Sequence, residues 1–345
     1  MGGALPPSSK AIFSGARQAI AAPLAAAALV TGAKSFEANP ILGSRLLNER
    51  GLHAARVALS HRVAEARRAR LAHLLGPADR ASFARDGFIL RENFLPQASF
   101  AALVAQVKAY RAPTREIVQG DTVNRKLVVD GAFLKAVPAL AEVLTSADWR
   151  ALLRYVGAVD ADPAVYIQTL LRHARAGPAD PQTAFHADTF HPNVKAWLFL
   201  TDVAAEGGPF VYVPGSHRLT PERLAWEQQK SVTARYAADS DTRQGSFRID
   251  THELGALGLP PPHVFAVPAN SLVVADTFGF HARGPSRDPS LRVEVFALGK
   301  RRPFMPWRGY DPITTAARGN AAALLWRMKK IFGACDKNLS AFDGG

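Results

Sequence analysis

Cysteine is almost missing from this sequence of 345 residues, in which Cys335 stands alone. An intrachain disulfide is therefore excluded, and so is a zinc or iron–sulfur site built from several cysteines. This cysteine usage favours a reducing, cytoplasmic setting. Neither Cys335 nor Ser216 has partners in the arrangement typical of a nucleophilic catalyst.

Long hydrophobic runs are also missing, since a helix that spans a bilayer needs about 20 apolar residues. The N-terminal run AIAAPLAAAALV, residues 19–30, is too short, and Pro23 interrupts it. Lys10 and Arg17 precede this run, which leaves a cleaved signal peptide open as one interpretation. The wide spacing of these charges favours the other interpretation, a poorly ordered or membrane-touching arm over residues 1–40.

Acidic residues are scarce, with 29 Asp and Glu against 42 Lys and Arg, and the formal net charge is +13. Residues 1–76 hold ten of the basic residues and three Glu, and residues 301–345 hold eight basic residues and three Asp. Residues 77–300 are therefore close to neutral. A nucleic-acid groove would place its charge on the folded centre, so nucleic acid is disfavoured as a partner. Basic ends beside apolar residues favour peripheral contact with an anionic membrane.

These differences divide the chain into three parts. Residues 1–76 form a basic arm with an amphipathic helix, residues 77–300 a central domain, and residues 301–345 a basic, helical C-terminal extension. Between Leu46 and Leu75 apolar residues recur at helical spacing, which predicts one helix, or two broken near Gly51. We expect this helix to lie on the central domain with a solvated basic face, and the alternative is a helix lying on a membrane.

From residue 165 onward the pattern becomes that of β-strands. The runs are short, rich in Val, Phe and Leu, and bounded by turn residues: VYIQTLLRH, VKAWLFLTDV, PFVYVPGSH, SFRID, HVFAVP, NSLVVADTF and LRVEVFALGK. Such runs predict a sandwich or barrel, hence a mainly β core with flanking helices, of the α+β class. A long polar segment at residues 218–262 interrupts the strands. A segment of this length inside a domain is usually functional, and we interpret it as a lid-like insert.

His186 and Asp188 lie two residues apart, shortly before the predicted strand VKAWLFLTDV. Residues i and i+2 of an extended chain point to the same side, so His186 and Asp188 converge. A salt bridge explains this, and so does a metal ion. His281 follows at the end of another β run, and two histidines with one carboxylate form the facial triad that holds non-haem Fe(II) with open positions. His191 is out of phase with the pair, and we interpret it as a pocket-rim or loop residue.

Several further segments follow one another in a recognisable order across residues 77–300: FARDGFILRENFLP, YIQTLLRH, KAWLFLTDV, GGPFVYVPGSHR and GFHARGPS. Arg292 stands eleven residues after His281. With these segments the sequence resembles the phytanoyl-CoA dioxygenase (PhyH) family of Fe(II)/2-oxoglutarate-dependent oxygenases. The resemblance implies a double-stranded β-helix, the cupin-like jelly roll. It also implies hydroxylation of an aliphatic carbon, with 2-oxoglutarate and O2 as co-substrates and succinate and CO2 as products.

The resemblance also implies roles for individual residues. His186, Asp188 and His281 would hold the iron, and Arg292 would bind the far carboxylate of 2-oxoglutarate, as its planar guanidinium suits. The co-substrate pocket would be lined by Gln168, Trp197 and Lys126. Alternation along LRVEVF places Arg292, Glu294 and Phe296 on one face, which permits a direction into the barrel. A carboxylate at position 188 favours hydroxylation over halogenation.

Other functions remain open at this stage. The substrate is expected to be a small molecule, and the basic ends suggest a lipid-like or membrane-proximal one. The main alternative is a jelly-roll protein that binds a metal or ligand without turnover. Zinc in the triad would permit hydrolysis, but the position of Arg292 would then be unexplained. Arg235, Tyr236 and Arg248 are candidates for contact with an anionic substrate.

Overall fold

The computed structural model describes residues 23–299, 303–305 and 337–343. The helices are α1 Arg45–Glu49, α2 Leu52–Arg70, α3 Pro77–Asp86, α4 Gln97–Ala109, α5 Gly131–Ala136, α6 Pro138–Thr145, α7 Ala147–Gly157, α8 Pro221–Thr233, α9 Ser240–Arg243 and α10 Thr251–Ala256. The strands are β1 Phe88–Arg91, β2 Arg111–Gln119, β3 Thr122–Val128, β4 Ala164–Arg172, β5 Val194–Phe199, β6 Phe210–Tyr212, β7 His263–Val264, β8 Leu272–Asp276, β9 His281–Arg283, β10 Ser290–Leu298 and β11 Lys337–Ser340.

The strands form two antiparallel sheets. The larger has eight strands in the order β1-β8-β5-β10-β4-β3-β2-β11, and the smaller has three in the order β7-β6-β9. Sequence neighbours such as β4 and β5 are separated in the large sheet by β10, which pairs with both. The predicted mainly β core with flanking helices is confirmed, and it is a jelly roll.

Alternation along the strands of the large sheet supplies two separate cores. One face carries Ala196, Leu198 and Val274, which pack with the helical layer around Leu140 and Trp149. The opposite face turns to the small sheet and carries Phe88, Trp197, Phe199 and Phe296, which form a second core with Phe210 and Tyr212 of β6 and with Phe265. Each large apolar side chain buried in this way contributes roughly 1.5–3 kcal/mol. The pocket described below opens on the aromatic face.

The helical segment after residue 44 is broken, as one of the two predictions had it. Gly51 adopts a φ of 92°, a left-handed conformation that suits glycine, and it separates α1 from α2. The predicted solvated basic face is only partly correct. Arg56 and Arg67 are buried, and the Arg56 guanidinium donates hydrogen bonds to the main-chain carbonyls of Leu29, Thr31 and Ala33. Burial lowers the pKa of Arg56 to about 10.

The chain before α1 is folded onto the domain from about residue 25 onward, where Ala25 is buried and its carbonyl accepts a hydrogen bond from Asn39. Phe36 is buried and stacks on Phe247 at a ring-centroid distance of 5.4 Å. Lys34 Nζ donates a hydrogen bond of 2.6 Å to the main-chain oxygen of Asp188. This part of the predicted arm is therefore packed, whereas residues 1–22 of that prediction lie outside the described residues.

The insert at residues 218–262 is largely helical. It contains α8, α9 and α10, and it buries Trp226, Phe247 and Leu254 in a core of its own with Phe36. The predicted strand SFRID contributes only an isolated bridge between Arg248 and His186. Glu227 ties α8 to α2 through a 2.9 Å contact with His53. Opening of this insert as a lid stays a prediction.

The C-terminal extension is described only in part. Residues 337–340 form β11, which pairs with β2, so this short piece is a strand rather than the predicted helix. The rest of the predicted helical extension lies outside the described residues, apart from residues 303–305. Among the helices of the described residues, none is long and apolar enough to cross a membrane.

Candidate active site

Two histidines face each other across the opening between the sheets. The main-chain N of His186 donates to the oxygen of His281 at 3.0 Å, and the reverse bond is also 3.0 Å long. This antiparallel bridge places the two rings 4.4 Å apart between centroids. The main-chain N of Asp188 donates to Thr277 at 3.0 Å, which fixes the carboxylate beside them. The predicted convergence of residues that are far apart in sequence is therefore present.

The three side chains form a compact set of metal-ligand atoms. Nε2 of His186 lies 4.0 Å from Oδ1 of Asp188, and Nε2 of His281 lies 3.6 Å from Oδ2. All three ligand atoms fall within 4.8 Å of one another. Nδ1 of each ring contacts a main-chain carbonyl, Ala184 at 2.8 Å and Gly279 at 2.9 Å. This contact keeps the proton on Nδ1 and leaves Nε2 free for a metal ion.

The electrostatics of His186 favour a metal site over a salt bridge. Burial, with smaller effects from His281 and Arg248, lowers the pKa of His186 well below its usual value. A neutral His186 forms no salt bridge with Asp188, whereas neutral imidazole is the form that binds metal. Nε2 of His281 is buried and has no hydrogen-bond partner among the described residues. The donor set therefore fits Fe(II), which two histidines and one carboxylate hold.

Two lysines contact Asp188, one at its carboxylate and the other at its main-chain oxygen. Lys195 on β5 places Nζ 2.5 Å from Oδ2, and Lys34 binds the main-chain oxygen. Burial alone would raise the pKa of Asp188, but Lys195 and His281 outweigh it and hold that pKa well below its usual value. Alternation could have revealed Lys195, which shares a strand face with Trp197. Lys34 lies 154 residues away and carries no such signal.

A pocket of about 170 Å³ lies in front of the triad. Its wall includes His186 and His281 as well as the four residues expected to contact 2-oxoglutarate, namely Arg292, Gln168, Trp197 and Lys126. Asp188 is not part of the pocket wall, but its carboxylate contacts both histidines. The structure therefore brings together all seven residues that the sequence predicted for the site.

Arg292 is buried and held on two sides. One guanidinium nitrogen, Nη1, donates to the main-chain oxygen of Gly208, and Nε lies 2.9 Å from Oε2 of Glu294. Glu294 is fully buried and accepts a 2.6 Å hydrogen bond from Gln168 Nε2. The predicted common face of Arg292 and Glu294 is confirmed by this contact. Sequence reasoning assigned no role to Glu294.

Lys126 is held over aromatic rings rather than beside a carboxylate. Its Nζ lies 4.8 Å from the ring centroid of Phe296 and 5.5 Å from that of Tyr166, within cation–π range. Burial lowers the pKa of Lys126 to about 8, and repulsion from Lys195 and Arg283 adds to this effect. The ammonium is therefore poorly compensated in the pocket.

Arg283 is a further cation of the wall that sequence reasoning missed. It lies two residues after His281 on β9, and its guanidinium forms a short ion pair with Asp180. Asp180 also accepts from Arg172 at 2.6 Å, and Nη2 of Arg283 donates to Gln119 at 3.3 Å. Burial lowers the pKa of Arg283 to about 10. The sequence signal for Arg283 was its position two residues after His281, which places both side chains on the same side of an extended strand.

Other candidates from the sequence lie elsewhere. His191 is buried in the loop before β5, contacts its neighbouring carbonyl at Pro192 and does not line the pocket, so of the two interpretations the loop residue is the correct one. Tyr236 is exposed, and Arg248 forms an ion pair with Asp241. Neither these two residues nor Arg235 belongs to the pocket wall.

Comparison with known families gives one match. The model of the phytanoyl-CoA dioxygenase (PhyH) family matches residues 83–246. This part of the chain, a little under half of the 345 residues, is therefore similar to the PhyH family. The matched part contains His186 and Asp188 but ends before His281 and Arg292, whose place in the PhyH-type site depends on the geometry described above. No curated protein matches the chain.

Solved structures with similar folds are distant in sequence. The epimerase SnoN from nogalamycin biosynthesis is 22% identical, with a TM-score of 0.45, and the alignment covers 70% of this chain and 92% of SnoN. HygX from Streptomyces hygroscopicus, with nickel and 2-oxoglutarate bound, is 18% identical, with a TM-score of 0.39 and coverages of 71% and 94%. The carbocyclase SnoK is 16% identical, with a TM-score of 0.40 and coverages of 65% and 83%.

Proposed function

We propose that this protein is an Fe(II)/2-oxoglutarate-dependent dioxygenase that hydroxylates an aliphatic carbon of a small molecule. The observation that carries the proposal is the convergence of His186, Asp188 and His281 on a pocket whose wall also contains Arg292. A purely structural polar cluster would give no reason for an arginine in the wall of the pocket that His186 and His281 also line. When bound, iron and 2-oxoglutarate supply the oxidation, in which O2 yields succinate, CO2 and a hydroxylated carbon.

The chain itself contributes positioning. The carbonyls of Ala184 and Gly279 orient the two imidazoles. Lys195 keeps the Asp188 carboxylate ionised beside the Nε2 atoms of the two histidines. The ligand set is thus preorganised by main-chain bonds that do not depend on the metal.

In this proposal Arg292, Lys126 and Gln168 bind the carboxylates of 2-oxoglutarate by charge and hydrogen bonding, and Trp197 packs beside them. The guanidinium of Arg292 offers paired donors to one carboxylate. Trp197, Phe210 and Phe296 add apolar surface to the wall, which limits the entry of water.

Hydroxylation is the outcome we favour, because Asp188 provides the carboxylate that halogenating relatives lack. Epimerisation and ring closure, which are the reactions named for SnoN and SnoK, would appear as different products. The alternative function, metal or ligand binding without turnover, is disfavoured because a protein without turnover would be expected to lose a ligand of the triad or Arg292, and all four residues are present.

Contact with an anionic membrane is a further part of the proposal. Leu46, Leu47 and Leu59 are exposed on α1 and α2, where Arg45 and Arg62 are also exposed. Such a combination suits the interface of an anionic bilayer. Sedimentation with anionic vesicles should fall when Leu46 and Leu59 are both changed to Ser, and equal binding by both proteins would remove the membrane contact from the proposal.

The test of the enzyme is an anaerobic titration of the apo-protein with Fe(II) and 2-oxoglutarate, followed by the weak visible charge-transfer band of the chelate. We expect the band in the parent, no normal band in Asp188→Ala, and a much higher 2-oxoglutarate requirement in Arg292→Ala. Asp288→Ala, at an exposed position, is the matched control and should behave as the parent. A parent that forms no band at any 2-oxoglutarate concentration would exclude the proposal.

A further inference from the structure

The charged side chains of the pocket wall all have the same sign. Lys126, Lys195, Arg283 and Arg292 line the pocket, and no carboxylate belongs to the wall as the described residues form it. Their counter-charges lie behind the wall. Asp188 pairs with Lys195, Glu294 pairs with Arg292, and Asp180 pairs with Arg283.

These carboxylates are too few for the cations they face. Asp180 is shared with a further arginine, Arg172, and Lys126 rests on aromatic rings instead of a carboxylate. Five cationic side chains thus stand against three carboxylates. The wall and its partners carry a net charge of plus two, in a setting where uncompensated charge is costly.

The proposed cofactors leave this charge in place. Fe(II) brings two positive charges and 2-oxoglutarate brings two negative ones, so the loaded site keeps the excess. In the proposed function Arg292 and Lys126 are committed to 2-oxoglutarate. The remaining wall cations are Arg283 and Lys195.

Both remaining cations have incomplete partners. Arg283 shares Asp180 with Arg172, and the side chain of Arg283 is still 10% exposed. Lys195 has Asp188 as its partner, but a carboxylate that binds a metal ion shares its charge with that ion. Gln119 and Gln182, which are amides able to donate to oxygen atoms, line the same pocket.

We propose that the substrate carries an anionic group, a phosphate or a carboxylate, which binds to Arg283 and Lys195 beside the iron site. This inference rests on the proposed function and adds the class of substrate. The anion replaces the missing counter-charge, and its position next to His281 places the rest of the substrate in front of the triad.

The experiment measures binding of simple probes to the protein loaded anaerobically with Fe(II) and saturating 2-oxoglutarate. Calorimetric titrations with phenyl phosphate, benzoate and benzyl alcohol compare two anions with a neutral molecule of similar size. Saturating 2-oxoglutarate prevents the anions from occupying the Arg292 position. The visible band of the chelate is recorded in the same samples.

Four variants complete the design. Arg283→Gln and Lys195→Met each remove one cation, and Arg283→Lys keeps the charge beside Asp180 in case the glutamine variant folds poorly. Arg287→Gln removes a charge of the same kind four residues further on, where the side chain is 75% exposed. It is therefore the matched control.

We expect at least one anion to bind and benzyl alcohol not to bind. Arg283→Gln and Lys195→Met should each weaken the binding of that anion by about tenfold or more. Arg283→Lys should retain most of the affinity, and Arg287→Gln should leave the affinity unchanged. Tighter binding of phenyl phosphate than of benzoate would assign a phosphate, and the reverse a carboxylate. Equal binding of benzyl alcohol, binding of no probe, or unchanged affinity in Arg283→Gln would overturn the inference while the chelate band persists. Absence of the chelate band in the unmodified protein would instead count against the proposed function.

Discussion

Arg292 and Glu294 project from the same face of β10, with 2.9 Å between Nε and Oε2. The arginine expected to bind a carboxylate of 2-oxoglutarate therefore already has a carboxylate beside it. Glu294 is fully buried and is held in place by Gln168. Its negative charge reduces the attraction that Arg292 can exert on an incoming dianion.

Replacing this carboxylate should strengthen co-substrate binding. We expect Glu294→Gln, which keeps size and hydrogen-bonding capacity, to lower the dissociation constant of 2-oxoglutarate by about tenfold, because Arg292 loses its competing partner. Titration of the Fe(II)-loaded protein with 2-oxoglutarate measures the change. Glu116→Gln, which alters the Glu116–Arg125 ion pair away from the pocket, should leave the constant unaltered. Weaker binding in Glu294→Gln would show that Glu294 supports Arg292 rather than competing.

Gly279 supports the site through a close contact that no larger residue permits. A Cβ at this position would lie 1.8 Å from the hydroxyl of Tyr212, and the Gly279 carbonyl holds Nδ1 of His281. We expect Gly279→Ala to lower metal affinity by about 10–100-fold, because the turn must shift and His281 loses its orientation. Equilibrium metal titration is the measurement.

The double variant Gly279→Ala with Tyr212→Ala removes both the hydroxyl and the ring carbon that would lie 2.4 Å from the added Cβ, and it should recover part of the loss. Gly255→Ala, at a glycine with open space around it, serves as the control. Full metal affinity in Gly279→Ala would contradict the role given to this turn.

The segment before α1 should contribute to stability rather than act as a free arm. Phe36 is buried against His53 and Phe247, so Phe36→Ala should reduce the free energy of unfolding by about 3–5 kcal/mol. Urea denaturation measures this loss. Leu24→Ala, at a side chain that is 66% exposed, should change the same quantity little. A loss below about 1 kcal/mol in Phe36→Ala would mean that the segment is loosely attached.

Acid should destabilise the fold through buried neutral histidines. Burial lowers the pKa of His217 to about 3 and that of His61 well below its usual value of 6.5. For His217 the unfolded chain then binds more protons than the folded one between pH 6.5 and 3, and His61 acts in the same direction below pH 6.5. Stability from these residues is present above pH 6.5 and falls with pH below it, by about 1.4 kcal/mol per pH unit for His217.

Urea denaturation at pH 7.5 and at pH 5 tests this dependence. His217→Gln should flatten part of the decline, whereas His252→Gln, at an exposed position, should leave it unchanged. Identical slopes in the parent and in His217→Gln would exclude His217 as a source.

Local patterns were sufficient for the fold class. Short runs rich in Val, Phe and Leu and bounded by turn residues, such as those that form β5 and β8, predicted a mainly β core. Gly51 likewise marked the break between α1 and α2. The insert at residues 218–262 was harder, because its helices are short and polar outside and depend on contacts with Phe36 and α2.

The sequence by itself determined the chemistry of the candidate site. The sequence contains a histidine and an aspartate two residues apart, a distant histidine, and an arginine eleven residues beyond that histidine. The chemical properties of these side chains are fixed by residue type, and their spacing along the strands can be read directly from the sequence. Only the tertiary structure decided how the charges are balanced. Lys34 reaches Asp188, Asp180 joins Arg172 to Arg283, and Glu294 lies against Arg292, all because the folded chain excludes water and forces distant ions into contact. The register between strands, rather than any motif, made the pocket cationic.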